Sequence, residues 1–169
     1  GPVEHAKSVS LIAIHQHEIP MDFPQRVEDE AADAKPVTVK GRTDLRDIPL
    51  VTIDPPDARD HDDAVYAQAD DDANNKGGWI VYVAIADVAH YVKPDSFIDR
   101  EALKRGNSCY FPDRVVPMLP ESLSSDLCSL HENVDRACMA LRMVFDKSGT
   151  KISHEFMRGL MRSAASLTY

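Results

Sequence analysis

The sequence has little cysteine, and the cysteines it has are not arranged for cross-linking or metal binding. Three are present, odd in number and with no CxxC pair. This pattern argues against a disulfide framework and against a structural zinc site. We therefore predict that the three thiols are reduced packing residues: Cys109, Cys128 and Cys138.

Long apolar runs are also missing. The longest candidate, WIVYVAIADVAHYV at 79–92, contains Asp87 and His90, which make it too polar to span a bilayer. The N-terminus, GPVEHAKSVS, has neither the basic start nor the apolar stretch of a signal peptide. We expect a soluble, cytoplasmic protein with no membrane partner.

Basic residues are in short supply, since 19 Lys and Arg face 28 Asp and Glu for a net charge of −9. Such a charge is unusual for a nucleic-acid binder, but it is unevenly distributed. Residues 54–72 hold eight acids and one base, whereas residues 136–169 hold six bases and two acids. Charge therefore does not exclude a phosphate-bearing substrate.

The chain contains 43% hydrophobic and 28% charged residues, which is typical of an ordinary globular domain. Its N-terminal part predicts a short strand at 9–17, a helix with little apolar face after Pro24, and a connector at 35–49. The central part predicts a strand ending at Asp54 and a hairpin formed by 64–69 and 79–87.

Further along, residues 95–106 predict a helix with Asp95 as N-cap and Gly106 just beyond its end. A proline-rich loop and a short helix around 121–130 come next. CMALRMVFD and KISHEFMRGLMRS then predict a second hairpin. The fold class expected is α+β, with a mixed, mainly antiparallel β-sheet and flanking helices.

An unusual concentration of acid occurs in TIDPPDARDHDDAV, residues 52–65, which follows one apolar strand and precedes another. A solvated acidic loop is the simple interpretation. Carboxylates held at strand ends cost free energy unless a cation shares the site, and all-oxygen ligands favour Mg²⁺, Mn²⁺ or Ca²⁺. The five aspartates of the segment are Asp54, Asp57, Asp60, Asp62 and Asp63.

Two known acidic motifs do not fit. An EF-hand starting at Asp60 requires glycine and glutamate where Val65 and Asp71 stand. The DxDD spelling of residues 60–63 also occurs in terpene cyclases, which are large helical proteins. What fits is Mg²⁺ or Mn²⁺ held by a few carboxylates, with waters and a phosphate completing the shell.

The ordered series TIDPPDARDHDDAV, VAIADVAHYV, VPMLPESLSSDLCSL and SAASLTY resembles the catalytic RNB domain of the ribonuclease II and ribonuclease R family, over about residues 44–169. The wording DARDHDDAV is closer to the ribonuclease R branch. The resemblance implies that 44–169 is the N-terminal portion of the catalytic domain and that 1–43 leads into it. It also implies Mg²⁺-dependent hydrolysis of single-stranded RNA from the 3′ end to nucleoside 5′-monophosphates, with Mn²⁺ as a possible substitute.

The resemblance also implies site residues. The family's four aspartates fall on Asp54, Asp60, Asp62 and Asp63 as metal ligands, and we place Asp60 and especially Asp62 closest to the chemistry. The tyrosines expected to contact RNA are Tyr110, which would stack on a base, and Tyr169 near the 3′ nucleotide. The family's domain continues past this segment with an arginine and a glutamate of the site, and cold-shock and S1 OB-fold domains flank it. We therefore expect the segment to be poorly active alone.

Other polar residues are interpreted conservatively. His61 is expected to form hydrogen bonds or balance charge, and Asp87 to secure a loop. The histidines of the first strand, His15 and His17, are expected at the surface. Four arginines could contact phosphate or simply face solvent: Arg136, Arg142, Arg158 and Arg162. Two functional alternatives stay open, an RNB-like scaffolding module without catalysis and a hard-metal-binding domain unrelated to RNA.

Overall fold

The computed structural model describes residues 6–169, which divide into two compact units. The first unit comprises residues 6–34 and 91–124, and the second comprises residues 35–90 and 125–169. In chain order the elements are α1 (Ala6–Gln16), α2 (Gln25–Asp33), β1 (Thr43–Asp44), β2 (Val51–Asp54), β3 (Asp63–Ala69), β4 (Trp79–Ala86), α3 (Val88–Tyr91), α4 (Phe97–Arg105), β5 (Cys109–Phe111), β6 (Arg114–Val116), a π-helical turn (Leu123–Leu127), β7 (Asp135–Phe145), β8 (Lys151–Arg162) and β9 (Ala165–Thr168).

The second unit is built on a seven-stranded sheet with strand order β1-β8-β7-β4-β3-β2-β9. Pairing is antiparallel except where β1 joins β8 and β9 joins β2. Both predicted hairpins are present, β3–β4 and β7–β8. The turn of the first requires glycine, because a Cβ at Gly78 would lie 2.5 Å from the carbonyl oxygen of Phe145. The predicted α+β class with a mainly antiparallel sheet is confirmed.

No strand was predicted for the C-terminal residues, yet they form β9 at one edge of this sheet. Ala165 pairs with Val51, and Thr168 pairs with Asp54. The Thr52 hydroxyl, fully buried, donates to Ser166 Oγ at 3.2 Å. The parallel pairing therefore places the end of the described chain beside the acidic segment.

The predicted strand at 9–17 is wrong, since this segment lies in helix α1. Ser10 and Ile14, four residues apart, are its buried positions, whereas Val9, Leu11 and Ile12 are exposed. The β-branched residues imitate a strand, but burial at a four-residue spacing is what a helix produces. The predicted helix after Pro24 is confirmed as α2. Its apolar face is larger than expected, because Val27 and Ala31 are fully buried.

Helix α4 begins one residue later than predicted. Ser96, not Asp95, caps it, and the Ser96 hydroxyl accepts a hydrogen bond from the Asp99 N–H at 3.1 Å. Asp95 instead has a positive φ of 63°. Gly106 closes the helix as expected, with its N–H bonded to the carbonyl of Ala102. The proline-rich loop that follows contains an unpredicted short hairpin, β5–β6.

Two of the three cysteines belong to the core of the second unit. Cys128 and Cys138 are buried, and burial raises the pKa of Cys128 to about 12 and of Cys138 to about 11. Both thiols therefore stay protonated and pack as small apolar side chains, as predicted. Within residues 6–169, no helix has the length and apolarity needed to cross a bilayer.

Candidate active site

The acidic segment connects two neighbouring antiparallel strands of the sheet. Asp54 is the last residue of β2 and Asp63 the first of β3, while Asp60 and Asp62 lie in the loop between them. Asp54 and Asp60 are half-buried, and Asp62 and Asp63 are exposed. The predicted ligand residues thus share one short segment at one end of the sheet.

This loop is held by backbone and hydroxyl hydrogen bonds to the segment after the π-helical turn. Ser129, fully buried, donates through Oγ to the carbonyl of Arg59 and accepts from the His61 N–H, both at 2.9 Å. The Leu130 N–H donates to the His61 carbonyl at 2.8 Å. The acidic loop is therefore fixed at two of its residues, Arg59 and His61.

His61 itself faces the first aspartate. Its Nδ1 lies 2.6 Å from Asp54 Oδ2, so the ring donates to the carboxylate, as the expected hydrogen-bonding role requires. The ring also meets His131 edge to face, with centroids 5.6 Å apart. His131 Nε2 is in turn 2.8 Å from the Ser125 carbonyl. These contacts fix the orientation of the Asp54 carboxylate.

Asp62 is placed by its own backbone. Its carbonyl accepts from the Ala86 N–H at 2.9 Å, which ties the residue to the end of β4. Its side chain is exposed by area, yet the protein around it still removes part of its hydration. This partial burial raises the pKa of Asp62, and the negative charges of Asp60, Asp63 and Asp54 raise it further. Asp62 therefore binds its proton more tightly than a fully solvated aspartate does.

The carboxylates do not converge into a finished metal site. Among residues 6–169, no three His, Cys, Asp or Glu side chains are arranged to hold a metal ion. Strand alternation gives one reason, because Val51 pairs with Val65 and so Asp54 and Asp63 fall on opposite faces of their strands. The proposed ligands are nevertheless all carboxylate oxygens whose negative charges repel one another. Ligands of this kind suit a hard divalent cation.

The two predicted tyrosines lie in different units. Tyr110 is in β5 of the first unit and is 66% exposed. Tyr169 directly follows β9 and is 91% exposed. Because Thr168 pairs with Asp54, the Tyr169 backbone lies next to the aspartate segment.

The comparisons with known proteins bear on this site. The profile of the RNB domain matches residues 42–169. The chain belongs to the RNB family. Ribonuclease R of Escherichia coli is 51% identical over 162 residues, covering 94% of the chain and 19% of the relative. The chain thus spans about a fifth of that relative's length.

Two solved structures have the same fold. RNase R of Mycoplasma genitalium, in complex with ribose-methylated single-stranded RNA, superposes with a TM-score of 0.89 at 33% identity, over 100% of the chain and 26% of that protein. Yeast Ssd1, a pseudonuclease, superposes with a TM-score of 0.68 at 20% identity, over 79% of the chain and 16% of that protein. The second likeness shows the fold alone.

Sequence reasoning missed the buried serine that holds the acidic loop and gave Arg136 a different role. Ser129 gave no signal except its place in the quoted SLSSDLCSL motif. Arg136, weighed as a phosphate contact, is buried and donates to the Ser129 carbonyl at 3.0 Å and to Asp126 Oδ1 at 2.5 Å. Asp87 secures a loop as expected, through an ion pair with Arg42 at 2.7 Å.

The raised pKa of Asp62 predicts a pH-dependent stability. A carboxyl that binds its proton more tightly in the folded state destabilises the fold once it ionises, so stability falls as pH rises from 3.8, the usual value, through the raised one. In EDTA at pH 7, Asp62→Asn should therefore melt above the parent chain, and the difference should shrink as pH falls towards 3.8. Thermal melts from pH 4 to 8 measure this. A variant that melts below its parent at pH 7 contradicts the repulsion.

Proposed function

We propose that the chain forms the N-terminal portion, residues 44–169, of the catalytic domain of a 3′–5′ exoribonuclease that hydrolyses single-stranded RNA to nucleoside 5′-monophosphates. The observation that carries the proposal is the fixed loop between β2 and β3, which sets Asp62 among the charges of three other motif aspartates. The 51% identity to a ribonuclease R over nearly the whole chain supports it. The proposed setting is the cytoplasm.

The proposed cofactor is Mg²⁺, with Mn²⁺ as a substitute, held by Asp54, Asp60, Asp62 and Asp63. When bound, such an ion polarises the phosphate and lowers the pKa of a coordinated water. The His61 N–H keeps the Asp54 carboxylate oriented, and the Ala86 N–H keeps the Asp62 backbone in place. The protein's share of the work is therefore to fix the acidic loop at the ends of β2 and β3 despite the repulsion among its carboxylates.

The proposed RNA contacts are Tyr110 and Tyr169, which are both exposed and whose aromatic rings are of the kind that stacks on bases. The chain spans about a fifth of its relative, so the rest of the RNA path belongs to the longer protein. We propose flanking OB-fold domains of the cold-shock and S1 types there. Activity of the 169-residue segment by itself should be weak.

A second candidate is an RNB-fold module that binds RNA or acts as a scaffold without catalysis. The structural similarity to a pseudonuclease indicates that a protein can have this fold without nuclease activity. Retention of all four motif aspartates favours the catalytic proposal.

The test is a chimera in which residues 42–169 of this chain, the part matched by the RNB domain, replace the corresponding segment of the E. coli relative. A time course on 5′-labelled single-stranded RNA with Mg²⁺ should show shortening from the 3′ end, with nucleoside 5′-monophosphates released. An intact, folded chimera that binds RNA but yields no monophosphates would favour the scaffolding module.

Metal binding can be measured on the chain alone. A ligand that binds only the folded state increases the free energy of unfolding by mass action, by about 2.7 kcal/mol at a ligand concentration of 100 times Kd. The melting temperature rises accordingly. Mg²⁺ or Mn²⁺ should therefore raise the melting temperature of the parent, and Asp60→Asn combined with Asp63→Asn should reduce the response. Asp57→Asn is the matched control, because Asp57 lies in the same segment outside the four. An equal response in all three would rule out the assigned ligands.

A further inference from the structure

Strand β8 presents an unusual row of side chains on one face of the sheet. Cross-strand pairing aligns Phe145, Met143, Leu141 and Met139 of β7 with four residues of β8, which therefore share a face. We call these four residues the β8 strip: Lys151, His154, Phe156 and Arg158. All four are exposed, Phe156 to 66%.

The strip combines an aromatic ring with cations. The rings of His154 and Phe156 meet edge to face, with centroids 5.6 Å apart and an interplanar angle of 88°. This contact leaves the Phe156 ring largely open to solvent. Lys151 and Arg158 lie at the two ends of the strip, and the Arg158 side chain is 56% exposed.

Acidic side chains do not cancel this charge on the strand. Glu155, the acidic residue of β8, pairs with Arg142 and so lies on the opposite face. Arg158 approaches Asp87 at 3.8 Å, but Asp87 already pairs with Arg42 at 2.7 Å. The neighbouring β7 side chains on the strip's face are uncharged. On the other side of β8, Asp44 of β1 pairs with Leu160 on the strip's face and is bound by Arg46 at 2.6 Å. The strip thus carries two cations, Lys151 and Arg158, on a chain of net charge −9.

The strip also lies in line with the acidic segment. Pairing across the sheet runs from Arg158 to Met139, then Ile85, then Asp63, all on the same face. Three strand spacings of ~4.8 Å separate the two ends of this row, or about 14 Å. Between them lie the half-exposed apolar side chains of Met139 and Ile85.

We propose that the β8 strip is a second contact for single-stranded RNA, with a base stacked on Phe156 and phosphates paired to Lys151 and Arg158. The inference rests on the proposed function, since it adds a binding site for the same substrate. Aromatic side chains stack on any base, and flanking cations follow the backbone. A purely apolar protein partner would not need cations at both ends of the row.

The first experiment is fluorescence anisotropy of a labelled single-stranded RNA with the 169-residue chain in EDTA, so that no cleavage contributes. Phe156→Ala should weaken binding by about 5- to 150-fold, whereas Phe156→Tyr should retain it. Phe156→Leu keeps an apolar side chain without a π-face and should behave like Ala. Ser153→Ala, at an exposed position that pairs with Val144 on the opposite face of the same strand, is the matched control and should bind like the parent.

The contribution of the cations is measured separately, from the salt dependence of RNA binding. Arg158→Ala should lower the slope of log affinity against log salt by about 0.7, the value for one phosphate contact on a single strand. Lys35→Ala, an exposed lysine off the strip, should not change it. Crosslinking with 4-thiouridine RNA and trypsin digestion should recover adducts on the peptide 152–158.

The results separate the strip from the catalytic proposal. Parental affinity in Phe156→Ala, retained affinity in Phe156→Leu, or no RNA binding by the parent chain would each overturn the strip as an RNA contact. Retention in Phe156→Leu would indicate an apolar docking surface instead. Cleavage by the chimera tests catalysis independently, so either proposal can fail while the other stands.

Discussion

In the chimera with the E. coli relative, Asp62→Asn is expected to reduce RNA hydrolysis by at least about 100-fold, the loss that a 1 Å misplacement of reacting groups can cause. Partial burial raises the pKa of Asp62, and the nearby charges of Asp60, Asp63 and Asp54 raise it further, so its carboxylate lies within reach of the other three. The substitution replaces a carboxylate of the proposed metal site with a neutral amide, which weakens its hold on a divalent cation. Single-turnover cleavage measures the effect.

RNA affinity should change little in the same variant, because the substitution removes no phosphate-binding cation. Asp57→Asn serves as the control, since Asp57 is exposed and lies outside the four. Anisotropy with the same RNA separates binding from cleavage. Hydrolysis at a near-parental rate by Asp62→Asn would show that Asp62 lies near the site but takes no part in catalysis.

A large loss of stability is expected from Asp87→Ala. The Arg42–Asp87 ion pair is buried, with side chains 7% and 1% exposed, and Arg42 also donates to the Gly159 carbonyl at 3.2 Å. Removing Asp87 leaves a buried guanidinium without its counter-charge, which costs about 3–5 kcal/mol. Urea unfolding of the 169-residue chain should show this as a lower midpoint with an unchanged slope.

Removing both charges should cost less than removing one. Arg42→Met with Asp87→Leu is expected to recover most of the loss, because apolar residues of similar volume replace a buried pair well. Asp44→Ala breaks an exposed pair with Arg46 and should have a far smaller effect. If Asp87→Ala unfolds like Asp44→Ala, the buried pair does not support the fold. Any loss at Asp87 should also loosen Asp62, since Ala86 precedes Asp87 and binds the Asp62 carbonyl.

Local signals were strongest where the chain folds back on itself. Alternating residues with a polar turn predicted both hairpins, and Gly106 predicted the end of α4, because these features depend on neighbouring residues. The segment at 9–17 was misassigned because its β-branched residues suit a strand as well as a helix. Only burial of Ser10 and Ile14 decides between them.

The acidic motif and the ordered series around it were enough by themselves to identify the RNB family and to select Asp54, Asp60, Asp62 and Asp63. These residues are close together in the sequence, so they lie in one segment whatever fold the remaining chain adopts. The sequence did not determine how that segment is held. Ser129 lies 70 residues from Arg59, and β9 lies more than 100 residues from β2.

Those long-range contacts were decided by tertiary structure, since no local pattern marks a serine that bridges a loop or a final segment that adds a strand. The same holds for Arg42 with Asp87 and for the β8 strip, whose shared face exists only because β7 and β8 pair in one register. The sequence determined which chemical groups are present, through residue type and local spacing. The fold decided which of them meet, because burial and strand register depend on residues distant along the chain.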